Sequence, residues 1–244
     1  MSPEFRQRMQ ISLVVLLLLA TARVAYIFYE RESAATARNR DDGSRALTAD
    51  EYVFPKKVYA HDLPSAKGLE GDDVWVKQGY GNLAYPVLNS VYTLDRGGPL
   101  LRPIEKLSIR KVVLQDPPRS WQRPAGEREL MAVCQRMDGS QTLFVVRIGS
   151  RAKDGTLDLI ANDVFYFQDP HVLYRHWPAE TWKFIHEHEA KLGMNELQVN
   201  FALGVPQKAG GGDYGERTLE YSNGGNPIRV AFSGNKAVDI VPVK

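Results

Sequence analysis

The sequence predicts an N-terminal transmembrane helix, then a β-rich region folded as a small barrel or sandwich, and then a C-terminal α+β unit of two helices on a three-stranded antiparallel meander. Three observations indicate this: an apolar run near the N-terminus, short β-branched runs separated by turn residues, and helical spacing followed by hairpin signals. The expected division is 1–30 membrane anchor or signal segment, 31–51 linker, 52–168 β-rich domain and 169–244 α+β domain.

The N-terminal run covers residues 11–29 and is interrupted only by Arg23. As a helix it would measure about 28 Å, close to the ~30 Å hydrocarbon thickness of a bilayer. We therefore expect it to span a membrane, with its aromatic end at the interface and Arg23 reaching the headgroups. The expected anchor residues are Ile11, Leu16, Leu17, Leu18, Leu19, Tyr26, Phe28 and Tyr29.

Two other interpretations of this run stay open. Arg6, Arg8, a ten-residue apolar stretch and an A-x-A site at Ala20 to Ala22 have the order of a cleavable signal peptide. The other alternative is a buried helix of a soluble protein. More arginines follow the run than precede it, which favours a cytoplasmic bulk, but the signal-like order favours a bulk outside the cytoplasm, and we expect the latter.

The composition excludes several classes of protein. The net charge of +2 gives no basic surface for nucleic acid, so we expect no nucleic-acid partner. The single cysteine, Cys134, excludes a disulfide framework and a multi-cysteine metal site, and it lies too far from the apolar run for a lipid anchor there. Residues 31–51 are charged and rich in small residues, which predicts a solvated linker; binding of its arginines to anionic lipid is the weaker alternative.

The middle of the chain predicts strands. β-branched and aromatic runs bounded by turns occupy residues 73–77, 106–115, 128–136, 142–148 and 156–167. The prolines are expected between these runs, since proline cannot donate to a ladder: Pro86, Pro99, Pro103, Pro117, Pro118 and Pro124. The stretch from Trp75 through Pro86 to Val113 faintly resembles bacterial SH3-like modules.

Helical spacing begins after Pro178. Trp182, Ile185, Glu189 and Leu192 recur at this spacing, and Gly193 is expected to end the helix.

A second, short helix starts at an Asn195–Gln198 capping box, with Met194 and Val199 as its hydrophobic staple. Val199, Ala202 and Leu203 share one face of this helix. Gly204 and Pro206 end it, because a glycine adopts the left-handed conformation and a proline prevents continuation.

Three strands are expected next, at residues 217–222, 228–233 and 236–241. They are joined by glycine- and asparagine-rich turns, which are strong hairpin signals. Apolar residues alternate along each strand, so one face of the sheet is expected to be covered by the two helices.

This C-terminal pattern resembles the small-protein A (SmpA/OmlA) family, which includes the small lipoprotein of the bacterial outer-membrane β-barrel assembly machine. The resemblance covers about fifty residues and is carried by Gly193, Met194, Asn195, Gln198, Val199, Leu203, Gly204, Pro206, Tyr221 and Phe232. It implies an extracytoplasmic, non-catalytic interaction module in a bacterial envelope. The expected location is therefore the inner membrane, as a single-pass protein, or the periplasm if the segment is cleaved.

No catalytic residue, metal ligand or cofactor is predicted. His186 and His188 are two positions apart and would point in different directions on a helix, so they are not expected to share a metal. Cys134 lies in an apolar strand, where a thiol is usually inert. The glycines at 210–212 lack the lysine of a phosphate loop and are expected to form a plain loop.

The aromatic residues Tyr174, Trp177 and Trp182 crowd the junction between the β region and the C-terminal unit. Core packing is the favoured interpretation, and a recognition surface is the alternative. Three functional hypotheses follow: an envelope protein that binds another envelope protein, including by strand addition at 236–241; a cell-wall or small-ligand binding module that uses the SH3-like stretch; and an enzyme of unrecognised type.

Overall fold

The computed structural model describes residues 48–243 except 89, 90, 96, 138 and 141, together with residues 21, 23–27 and 29. The chain divides into two units, Met1–Tyr52 and Val53–Lys244. In the first unit the described residues 21, 23–27 and 29 are helical, and Ala49–Tyr52 form a 3-10 turn. No helix among the described residues is long and apolar enough to cross a bilayer. The predicted anchor residues Ile11, Leu16 to Leu19 and Phe28 lie outside the described residues, so the anchor stays a prediction.

The second unit contains an eight-stranded antiparallel sheet. Its strands are β1 (Asp73–Val76), β2 (Tyr85–Leu88), β3 (Val91–Tyr92), β4 (Lys106–Gln115), β5 (Arg128–Arg136), β6 (Leu143–Arg151), β7 (Leu157–Leu159) and β8 (Phe165–Tyr166). Their order is β3-β2-β6-β5-β4-β1-β8, and β7 also pairs with β6. The central strand β5 is buried on both faces, because Leu130 and Ala132 enter the main core whereas Met131 and Val133 enter a smaller cluster on the other side.

Five short helices and a four-stranded antiparallel sheet complete this unit. The helices are α1 (Leu63–Lys67), α2 (Ala161–Val164), α3 (Pro170–Leu173), α4 (Ala179–His186) and α5 (Glu196–Leu203). The strands are β9 (Pro206–Ala209), β10 (Thr218–Tyr221), β11 (Ile228–Ser233) and β12 (Lys236–Pro242), in the order β12-β11-β10-β9.

The two sheets share one hydrophobic cluster. This cluster joins Val199 and Leu203 of α5 to Leu219 of β10, and it also contains Tyr166 of β8, with Trp75 of β1 packed against it. The two sheets therefore belong to one continuous fold. The domain boundary between residues 168 and 169 stays a prediction.

The predicted β-rich architecture is confirmed at the level of two antiparallel sheets with few helices. Strands β4, β5 and β11 have the expected bounds. The three strands of the predicted meander pair in sequence order, and a fourth strand, β9, extends their sheet.

Three predictions of local structure are wrong. Residues 156–167 are not one extended run, because the helical turn α2 separates β7 from β8. Pro86 lies inside β2 rather than between strands. Its carbonyl accepts hydrogen bonds from the N–H and the hydroxyl of Thr93, and these two bonds need no N–H from the proline. The helix after Pro178 ends at His186, not at Gly193, because His188 takes a φ of +55° and turns the chain; Leu192 is 67% exposed.

Candidate functional site

A histidine pair joins the short helices α3 and α4. Asp169 caps α3: its Oδ1 accepts from the backbone N–H of His171 at 2.9 Å and lies 2.8 Å from Nδ1 of the same residue. Nε2 of His171 lies 2.9 Å from Nε2 of His186 on α4. The Trp182 ring stacks on His171, with 4.1 Å between the ring centres. The Asp169 carboxylate and the two imidazoles thus form a continuous polar chain, and the Trp182 indole stacks on its middle ring.

The protonation of this pair follows from its hydrogen bonds. If Nδ1–H of His171 donates to Asp169, then Nε2 of that ring is the acceptor and Nε2–H of His186 donates to it. A single proton therefore lies between the two facing nitrogens. Burial, followed by the neighbouring His171 and His188, lowers the pKa of His186, and this favours its neutral form.

His186 and His188 do point apart, but not as neighbours on one helix, because α4 ends at His186. His186 faces His171, whereas Nδ1 of His188 lies 3.3 Å from the carbonyl oxygen of Ala202. Among the described residues no third histidine, cysteine or carboxylate joins the two imidazoles in a metal-binding group. The pair can hold or release a proton, and two nitrogen ligands alone do not form the usual four-ligand metal site.

The three aromatic residues singled out in the sequence surround Phe201 of α5. Its ring centre lies 5.1 Å from those of Tyr174 and Trp177 and 6.1 Å from that of Trp182. Tyr174 and Trp177 are buried, which favours core packing over recognition for these two side chains. Trp182 is only partly buried and contacts the histidine pair, so it forms the boundary between core and surface.

The start of α5 has the predicted capping box. Oδ1 of Asn195 accepts from the N–H of Gln198 at 2.8 Å, and Oε1 of Gln198 accepts from the N–H of Asn195 at 2.9 Å. Met194 and Val199, the predicted staple, are both buried in the shared cluster. The helix therefore begins where its local sequence places it.

Gly204 ends α5 and also forms a contact between the two sheet regions. Its φ is +85°, and a Cβ at this position would lie 2.2 Å from the carbonyl oxygen of Gly79. The next residue, Val205, donates its N–H to the same oxygen at 2.9 Å. Pro206 opens β9 directly afterwards. Only glycine satisfies both the backbone angle and the close approach.

The remaining residues of the C-terminal motif lie in or beside the shared core. Leu203, Tyr221 and Phe232 are buried there, and the Tyr221 hydroxyl donates to Oδ1 of Asn200 at 2.7 Å. Gly193 has a φ of +86° and lies in the turn before α5 instead of ending α4.

Two buried ion-paired glutamates were not found by sequence reasoning. Glu196, at the first turn of α5, is bound by both nitrogens of the Arg217 fork and by the N–H of Gly215. Glu129 of β5 lies between two arginines: Arg123 Nε is 2.7 Å from one carboxylate oxygen, and Arg147 Nε is 2.5 Å from the other. The partners of each glutamate are up to 21 residues away, so no local pattern marks them.

The histidine pair was also missed, although one local signal was present. Asp169 followed by Pro170 is an N-cap with proline at the first helical position, which predicts α3. The meeting of His171 with His186 depends on the turn between α3 and α4, which the sequence does not define. Cys134 is buried as predicted, and burial raises the pKa of its thiol.

Strand β12 lies at an edge of the four-stranded sheet. The start of its outer side is already occupied, because Ala237 donates its N–H to Met194 O at 2.7 Å and accepts from Gly193 N at 2.8 Å. Beyond Ala237 no described strand pairs with the outer side. Val238 is 56% exposed there, and the ladder register turns the N–H and C=O of Ile240 outward.

No family model, no curated protein and no solved structure matches this chain. The resemblance of its C-terminal part to the small-protein A family therefore stays a prediction.

Proposed function

We propose that this chain is a non-catalytic, single-pass protein of a bacterial envelope whose folded part lies outside the cytoplasm and binds another envelope protein. The binding site is the open half of the β12 edge, and the partner supplies an extended segment that adds as a fifth strand. The apolar run at 11–29 supports the anchor. The membrane and this partner protein are the two expected contacts.

The observation that carries this proposal is the unpaired outer side of β12 from Val238 to Pro242. An added strand gains backbone hydrogen bonds from Ile240 and side-chain contact with the exposed Val238. Pro242 has no N–H to donate, which limits the site to a few residues. A short edge of this kind suits a specific, weak contact.

The arrangement of the elements also supports it. Helices α4 and α5 share a core with β10 and β11, as expected for a small-protein A-like unit. The pairing β8-β1-β4-β5-β6, with the short helix α2 just before β8, is the arrangement expected of an SH3-like barrel. Both modules serve as interaction units in many unrelated proteins, so they favour binding over catalysis.

Site-specific photo-crosslinking in cells tests this proposal. A benzophenone amino acid at Val238 is expected to capture one reproducible envelope protein, and the same group at Lys208 on the opposite edge strand, β9, is the matched control. Ile240→Pro removes the outward N–H and is expected to abolish the Val238 crosslink while the protein stays folded. Equal capture from both positions, or capture that survives Ile240→Pro, would contradict strand addition.

A groove supports a second candidate function, the binding of cell-wall fragments. It has a volume of about 520 Å³ and lies between residues 92–95 and 115–120, with Tyr92, Asp116 and Arg119 among its lining residues. Hydrogen-bonding groups beside an aromatic ring suit a sugar or short peptide. Sedimentation with purified peptidoglycan tests this function, and Arg119→Ala is expected to reduce the pelleted fraction if the groove is the site.

A further inference from the structure

The first segment of the second unit presents two aromatic side chains to solvent. We call residues 53–60 the aromatic strap. Phe54 is 82% exposed and Tyr59 is 74% exposed, whereas Ala60 is buried. Lys56 and Lys57, between the two rings, are also exposed. Large aromatic side chains at this exposure lose favourable burial unless a partner covers them.

The strap is fixed to the body of the protein. The Asn162 side chain accepts from the N–H of Val58 at 2.8 Å and donates to its carbonyl at 2.7 Å. The N–H of Lys56 donates to Oε1 of Gln168 at 2.9 Å. Val53 packs against the shared cluster and Val58 against the main core. The inward side chains are thus anchored, and the outward ones project from a defined backbone.

The strap has the chemistry of an interface with anionic lipid. Residues 53–60 contain two lysines and no acidic residue. A third ammonium lies at the residue that holds the strap, because Lys77 Nζ donates to the carbonyl of Asn162 at 3.0 Å; the exposed acid on α2 is Asp163. Aromatic rings settle at the headgroup level of a bilayer, and lysines beside them bind anionic headgroups.

We infer that the aromatic strap rests on the anionic surface of the membrane that holds the N-terminal anchor. This inference rests on the proposed function, which supplies the anchor. The strap begins at Val53, 24 positions after Tyr29, the last residue of the apolar run. It is therefore the first part of the second unit that the chain reaches from the membrane. The two lysines of the strap complement the negative charge of the lipid, and the exposed acids Glu51 and Asp62 flank the strap in the sequence, so the lysines and rings of the strap itself form the contact.

Tryptophan quenching in the full-length chain tests the inference. The chain is reconstituted into vesicles of equal parts phosphatidylglycerol and bromine-labelled phosphatidylcholine, and the vesicles are floated. Phe54→Trp retains an aromatic ring at the strap, and Tyr214→Trp is the control, since Tyr214 is a half-exposed aromatic outside the strap. Bromine in the acyl chains quenches only an indole that enters the interface.

We expect the additional emission of Phe54→Trp to be blue-shifted and quenched, and that of Tyr214→Trp to be unchanged. Lys56→Gln with Lys57→Gln should weaken the contact by about 25-fold, since each lysine near an anionic surface contributes about fivefold. Equal quenching of the two tryptophans in floated protein, or quenching that does not depend on phosphatidylglycerol, overturns the inference alone. Protein that does not float overturns both the inference and the proposed anchor. Capture of a protein by the strap, with no quenching, also overturns it.

Discussion

The eight-stranded and four-stranded sheets each bury one glutamate, but they neutralise it in different ways. Glu129 in the large sheet lies between two arginines from separate segments, whereas Glu196 beside the small sheet depends on one arginine and one backbone N–H. Arg147 hydrogen-bonds Glu129, whereas Arg123 lies at the other carboxylate oxygen as an ion-pair partner without a hydrogen bond, so one cation remains when the other is removed. The buried glutamate beside the small sheet therefore depends on fewer charged partners than the one in the large sheet, although the two sheets share a core.

The largest expected effect comes from breaking the contact between the two regions. Gly204→Ala would place a methyl group on the carbonyl of Gly79 at a positive φ, so we expect a loss above about 4 kcal/mol in the free energy of unfolding. Hydrogen exchange of β5 and β11 should increase together, because the sheets share one cluster. Gly211→Ala is the control, since no atom lies within 4 Å of its added Cβ. Faster exchange in β11 alone would indicate that the sheets unfold separately.

The next largest effect separates the two glutamates. Arg217→Met leaves Glu196 buried with only the Gly215 N–H, and it is expected to cost about 3 kcal/mol. Arg147→Met leaves Arg123 beside Glu129 and is expected to cost about 1 kcal/mol.

Urea unfolding of the two variants measures the difference directly. Equal losses would show that the second arginine of Glu129 adds nothing. If the losses differ as expected, the double variant Arg123→Met with Arg147→Met should lower the free energy of unfolding by as much as Arg217→Met does.

A smaller effect is expected at the helix caps. Asn195→Ala removes the half-buried capping box of α5 and should cost about 1 kcal/mol. Asp62→Ala removes the equivalent box of α1, which lies at the surface, where water replaces the lost bonds. Thermal unfolding should show a larger decrease in Tm for Asn195→Ala, and the reverse order would mean that α1 contributes more to the fold than its exposure indicates.

The smallest effect concerns acid. The pKa of His186 is lowered in the folded state, so the unfolded chain takes up a proton first as the pH falls. The stabilising contribution is complete above the ordinary histidine pKa of about 6.5 and is lost as the pH falls through that value towards the folded pKa. His186→Gln should show a smaller decrease in Tm between neutral and mildly acidic pH than the unsubstituted chain. Parallel pH profiles would exclude the pair as the source.

The elements found from the sequence are those specified by neighbouring residues. The capping box at Asn195 and Gln198, the long runs of β4 and β5, and the glycine-rich turns of the meander each contain their signal within about ten residues. The elements missed depend on distant partners. Strand β2 tolerates Pro86 because the Pro86 carbonyl accepts from both the N–H and the hydroxyl of Thr93, and α4 stops at His186 because the chain turns towards Ala202.

The candidate sites divide in the same way. The edge position of β12 follows from its being the last strand of a meander, so it was expected. The histidine pair and the two glutamate sites required the tertiary fold, because they bring together residues 15 to 21 positions apart, and Arg123 reaches Glu129 from the loop before β5. The strap lies in the predicted β-rich domain, but its fixed backbone could not be predicted, since its support comes from the amide of Asn162, 104 positions away.

The Gly193–Met194 segment, which hydrogen-bonds to Ala237 near the start of β12, limits how far another chain can pair with this edge. A fully open edge strand can recruit a second copy of the same chain, and repeated recruitment produces aggregates. Here an incoming strand can run along β12 only as far as Ala237, where two backbone bonds already fill the ladder. A sheet extended by a few residues on one side provides little template at this edge for another copy.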